Sequence, residues 1–156
     1  MPPPMAMRKM KGPRSTRGQA IIEFALLAPI IFLLIFMIVD FGITMDRRIT
    51  LQSAVREGAR MAAVNDNISE VCNYTVAEAQ DIIDQSQITF SYTDLDGNGR
   101  STDAGDSVTV TANFLWEFPI LNEVFHAMTG NTLAVEMTPS GTARLELSVP
   151  GETECP

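Results

Sequence analysis

Histidine is all but missing from this chain. His126 is the only one among 156 residues, and no second ligand type clusters near it, which leaves imidazole catalysis and histidine-based metal sites little to work with. There is no nucleophile elbow and no phosphate-cradling glycine loop, and the scattered serines have no base near them in sequence. Those absences argue against an enzyme. Basic charge is also scarce beyond the N-terminus: from Asp46 onward 17 acids face 6 bases, a net −11. So acidic a segment argues against nucleic acid as a partner, because phosphates need basic patches. Internal repeats and low-complexity linkers are lacking. The length suits one small domain plus an anchor.

Charge is absent from one place in particular. The sixteen residues from Phe24 to Val39 carry none, while Glu23 stands directly before them. Ahead of Gly18 lie Arg8, Lys9, Lys11, Arg14 and Arg17, with no acid among them. The positive-inside bias places residues 1–18 in the cytoplasm and those after about 45 outside. A removable signal peptide is the competing reading, but the run exceeds a usual signal core and no small-x-small cleavage site follows it. Gln19 to Val39 reaches the ~20 residues of a full span if Glu23 is tolerated. A carboxylate at the rim of such a segment is costly, and that cost marks a functional site.

Cysteine is used twice, at Cys72 and Cys155, both on the side read as exported. An even pair in an oxidising compartment is usually a disulfide. The long loop it would close gives about 4–5 kcal/mol as an upper figure in the chain-entropy model.

The first 17 residues, rich in Pro, Met and base, are expected to be disordered. Helix signal then runs from Gln19 to about Val64, with Pro29 as an expected kink. Beyond Asp40, Leu51, Val55, Ala59 and Ala62 or Ala63 recur on one face, so this stalk must bury a stripe against something. Glu57 and Arg60 can pair at i,i+3. Asn65-Asp66-Asn67 ends the helix. A second helix is expected over Val76–Ser86, with Thr75 as N-cap and Glu78 as its capping-box acid. The period then changes to two: Gln87–Thr93 and Ser107–Trp116 alternate and read as an antiparallel hairpin across a turn-rich loop. Pro119–Met128 is left as loop or short helix, and strands are expected at Thr132–Thr138 and Ala143–Val149. The fold class is therefore α+β: a long N-terminal transmembrane and stalk helix, then a small mixed domain with an antiparallel sheet. The expected divisions are a basic leader (1–18), the helix (19–64, membrane anchor about 20–41) and an exported domain (65–156).

The stretch from Arg17 to Val64 closely resembles the TadE-like pseudopilin family, minor pilin-like components of tight-adherence (Flp) pilus machines. The resemblance rests on an ordered series: basic leader, Gly18, Glu23-Phe24, the apolar run, Asp40-Phe41-Gly42, Leu51-Gln52 and Arg56-Glu57-Gly58-Ala59-Arg60. It implies cleavage by a prepilin peptidase between Gly18 and Gln19, with Glu23 and Phe24 as the processing and assembly motif. The implied partners are other pilin or pseudopilin subunits and an inner-membrane assembly platform, besides the lipid bilayer. The implied location is the cytoplasmic membrane, single-pass, N-terminus inside, with incorporation into a pilus open. Glu-Phe in place of the major pilins' Glu-Tyr, and the ~90 residues after the helix, favour a minor component.

Two constellations keep competing readings. Ala54, Gly58 and Ala62 form a small-xxx-small stripe, fit either for a partner helix or for packing the stalk onto its own strands. Asp94, Asp96 and Asn98 fall at positions 1, 3 and 5 of a calcium-loop pattern, with Asp103 and Asp106 as further donors, but position 12 is Gly105. An Asp/Gly-rich hairpin turn needs the same residues. No cofactor is expected, with calcium the one exception to test. Two functions follow: a pseudopilin that joins a pilus assembly through its helix, or an unprocessed bitopic envelope protein whose exported domain binds calcium or an adhesion ligand.

Overall fold

The computed structural model describes residues 16–156, with side chains from Gly18 onward. Arg8, Lys9, Lys11 and Arg14, and the disorder expected of residues 1–15, lie outside the described residues, whereas Thr16 and Arg17, also expected to be disordered, already belong to a helix. Helix α1 runs from Thr16 to Val64 and contains Pro29. By compactness the chain divides after Ile35.

In the first unit, Glu23 stands in an unbroken helix whose large apolar side chains, from Ile21 and Ile22 through Phe24 to Ile35, are all exposed. None of its most apolar window, of mean hydropathy 2.8, is buried. By length and composition this helix can cross a membrane.

The second unit begins within α1, because the helix from Asp40 to Ala63 supplies its core. Leu51, Ala54, Val55 and Ala59 are fully buried, with Ala62 and Ala63 nearly so. The stripe expected to need a partner finds it in the strands and helix that follow. Three residues separate α1 from α2 (Ile68–Glu78). The helix expected at Val76–Ser86 is corrected: Asn67, not Thr75, is the N-cap, its side chain accepting from the Glu70 N–H. Thr75 lies buried inside α2, its hydroxyl donating to the Val71 carbonyl at 2.8 Å. Asn67-x-x-Glu70 places an acid in the first turn, three residues after the cap, and it captures the helix a full two turns earlier. After α2, Gln80 and Asp81 take positive φ and the chain turns towards the sheet.

Strands β1 (Ile88–Thr93) and β2 (Ser107–Ala112) form the expected antiparallel hairpin, in the register Phe90 with Val110. Strand β2 ends earlier than its alternation implies. Asn113 donates its N–H to the Gln87 carbonyl, and Phe114–Glu117 continues as β3. Strand β3 pairs with β4 (Ala134–Met137) in a second, two-stranded sheet. Helix α3 (Leu121–Thr129) connects these two, settling the segment left open between loop and helix. The last strand, expected at Ala143–Val149, is β5 at Ser140–Arg144, which completes the order β1-β2-β5. Beyond it Leu145 is buried and its N–H donates to the Asp106 carbonyl, while Glu146 donates to the Ala63 carbonyl. Those contacts divert the chain before Val149.

Candidate functional site

At the N-terminal end, Gly18 is exposed, with open space where a side chain would stand. Gln19 Nε2 donates to Glu23 Oε1 at 3.1 Å, one helical turn on. Glu23 and Phe24 are both exposed at the start of the apolar run. The sequence thus places a small, accessible residue, an amide and a carboxylate along one turn and a half of helix.

At the other end of the run stands a residue to which the sequence analysis gave no role of its own. Asp40 is fully buried. Its carboxylate accepts the N–H of Leu121 at 2.6 Å and that of Ile120 at 3.2 Å, so it caps the first turn of α3 from eighty residues away. The first N–H groups of a helix have no partner of their own and carry partial positive charge, which a carboxylate satisfies. One turn further, Thr44 donates to the Asp40 carbonyl at 2.7 Å and accepts the indole N–H of Trp116 at 3.1 Å. The Arg47 guanidinium stacks over that indole, 5.8 Å from its centre. The signal in the sequence was an acid abutting the end of an uncharged run.

The small-residue stripe lies inside the second unit. A Cβ at Gly58 would collide with the Thr75 hydroxyl, so glycine there lets α2 approach α1. Ala54 and Ala62 are buried in the same core. Cys72 and Cys155 are joined, tying α2 to the C-terminal tail across 83 residues. The tail also gains an isolated bridge between Thr89 and Glu154.

In the acidic loop, carboxylate oxygens of Asp94, Asp96 and Asp106 come within 4.8 Å of one another. Asn98 reaches Asp96 at 2.9 Å and Asp103 at 3.4 Å. The same groups shape the turn: Asp94 accepts from Gly97 and Gly99 at 2.7 and 2.8 Å, while Asp106 accepts from Leu95 and Asp103. The N–H groups of Gly99 and then Gly97 hold the Asp94 carboxyl below its ordinary range, because they favour the charged form.

No curated protein and no solved structure shows significant similarity to the chain. A family model described as TadE-like protein matches residues 18–60. That match opens on Gly18, takes in Glu23, the apolar run and Asp40, and closes on Arg60 within the buried half of α1. Over this stretch of α1 the chain is similar to TadE-like proteins.

Proposed function

We propose that the chain is a membrane-anchored minor pilin that is cut after Gly18 and joins a Tad pilus assembly through α1. The observation that carries the reading is the placement of Gly18 and Glu23 on an exposed helix start immediately before a wholly uncovered apolar run. Cutting after Gly18 leaves Gln19 with a free α-amine at the membrane rim. Glu23 then meets the amine of a neighbouring subunit, and pairing neutralises two charges that are each expensive in hydrocarbon. Gly18 lies within α1, so a peptidase that takes an extended backbone must unwind it; glycine, a poor helix former, eases that step. In this reading residues 1–18 are cytoplasmic, the helix sits in the inner membrane beside the assembly platform, and residues beyond α1's apolar run are exported.

N-terminal sequencing of the membrane-extracted protein tests it. A start at Gln19 is expected, and Gly18→Val is expected to keep the leader on co-expression with a prepilin peptidase. Glu23→Ala should still be cut, since the carboxylate lies beyond the scissile bond, yet should support no surface fibre. Normal pili from Glu23→Ala cells would remove the pairing role.

A second reading, an unprocessed bitopic envelope protein whose outer domain binds calcium, draws on the convergence of Asp94, Asp96 and Asp106. It requires an intact leader and a melting temperature that calcium raises in the wild type but not in Asp94→Ala.

A further inference from the structure

Helix α3 carries an apolar stripe that its own domain leaves largely exposed. Leu121, Val124, Phe125 and Met128 recur at three- and four-residue spacing and so share one face. None of the nine residues is buried, and Met128 is 81% exposed. Only Leu121 and Asn122, in the first turn, are half-buried, and the side chain that fastens the helix is Asn122. Asn122 accepts the Leu133 N–H at 2.6 Å and donates to Glu117 at 3.3 Å, fastening α3 to the segments around β3 and β4. A surface helix of a soluble protein does the reverse, turning its apolar stripe to the core.

The Asp40 cap fixes where this bare stripe lies. Asp40 directly follows the last residue of the uncharged run, and Phe36, Met37, Ile38 and Val39 before it are exposed. Helix α3 starts at the Asp40 carboxylate and is about 13 Å long at 1.5 Å per residue. Every residue on it therefore stays within about that distance of the level at which the apolar run ends. Trp116, bonded to Thr44, and Arg47 over its indole lie one to two turns further along α1, about 6–10 Å at 1.5 Å per residue, and are of the residue types that anchor membrane proteins at the headgroups.

We infer that α3 is an interfacial helix: its Val124, Phe125 and Met128 face enters the headgroup–acyl boundary of the bilayer that α1 crosses, with the Asp40 carboxylate as the hinge pin between the two. This rests on reading α1 as a membrane anchor. An interfacial helix buries its apolar face about 5–10 Å into that boundary. Helix α3 carries Glu123 and His126 but no Lys or Arg, so docking depends on apolar area and not on anionic lipid.

The test uses the full chain in zwitterionic phosphatidylcholine vesicles containing lipids brominated near the headgroup end of the acyl chain or near its terminus. In a Trp116→Phe background, Phe125→Trp is the reporter, Ile31→Trp the anchor control and Leu95→Trp the aqueous control. The expected result is a blue-shifted Phe125→Trp emission, quenched by the shallow bromines more than by the deep ones, with Leu95→Trp unquenched. Quenching of Ile31→Trp with none at Phe125→Trp overturns the interfacial helix while leaving the anchor intact. No quenching at Ile31→Trp overturns the anchor itself, and the inference with it. Should the Trp116→Phe background not fold, hydroxyl-radical footprinting of the wild type in the same vesicles replaces it. Met128, the more reactive side chain, is then expected to be modified less than the exposed Leu95. Ready modification of Met128 overturns the inference, as does protection that vanishes when the protein is diluted into excess lipid, since a second copy would then be the cover.

Discussion

The carboxylate of Asp40 holds the N–H of Leu121 at 2.6 Å, a bond that joins the end of the uncharged run to the start of α3. It is a cap supplied from a different helix. Ile120, the residue in the cap position, offers no side-chain acceptor of its own, so losing Asp40 leaves part-buried donors unsatisfied. Asp40→Ala is expected to cost about 2 kcal/mol, adding the loss of a cap to orphaned N–H groups. Asp40→Asn, which keeps one acceptor oxygen, should cost less. Amide hydrogen exchange in full-length protein in mild detergent checks this: protection should fall first at residues 120–125. A uniform loss across the second unit would point to a general packing role instead.

Two glycines set how closely α1 is approached, and their replacements should differ in kind. Gly58→Ala drives a methyl into the Thr75 side chain, with an expected cost of about 1–3 kcal/mol. Thr75→Ala removes the colliding hydroxyl together with its bond to Val71, so the double variant should be more stable than additivity allows. At Gly141 the obstacles are the Val55 carbonyl and the Arg56 backbone, which cannot swing aside. Gly141→Ala should therefore lower the melting temperature more than Gly58→Ala, and no single side-chain truncation should rescue it. Thermal unfolding by circular dichroism ranks the four variants against the wild type.

The Cys72–Cys155 bond closes a loop of more than eighty residues. By chain entropy its removal costs up to about 4–5 kcal/mol. Reductant should lower the melting temperature of the second unit and release the tail first. The Phe90 N–H bonded to the Thr153 carbonyl is then the amide whose exchange should quicken most. Unchanged exchange there after full reduction would mean that the tail is held without the bond.

Acid should loosen the loop of residues 94–106. The folded-state pKa of Asp94 lies below its ordinary value of 3.8 because glycine N–H groups stabilise the carboxylate. A depressed pKa contributes stability that is present above 3.8 and is lost as pH falls through the lower folded value. Wild-type protein should thus lose stability below about pH 4 more steeply than Asp94→Asn, which cannot titrate. Parallel acid melts of the two proteins check it.

The alternation of Ser107–Trp116 illustrates how far the chain could be read by itself. Val108, Val110 and Ala112 are buried, and Phe114 and Trp116 keep the same parity, half-buried. The faces were legible, but the change of sheet at Asn113 was not, because it goes with a hydrogen bond to Gln87, which lies just before β1 and twenty-six residues back. The stripe from Leu51 to Ala63 was legible as a face, though its partners were not. The second helix was misplaced because Thr75 with Glu78 matches a capping pattern locally, while Asn67 with Glu70 wins once Thr75 is buried against Gly58.

By itself the sequence determined the anchor-like run, the glycine and glutamate before it, the α+β class and the central hairpin. Each of these depends on charge absence or on periodicity within a short window, where neighbours in sequence are neighbours in space. Only the tertiary structure decided that α1 packs its small-residue stripe inside its own domain, that β5 stops at Arg144, and that Asp40 caps α3. Those outcomes join residues more than eighty positions apart, and burial and hydrogen-bond satisfaction there are settled by what the fold brings alongside, which no local pattern encodes.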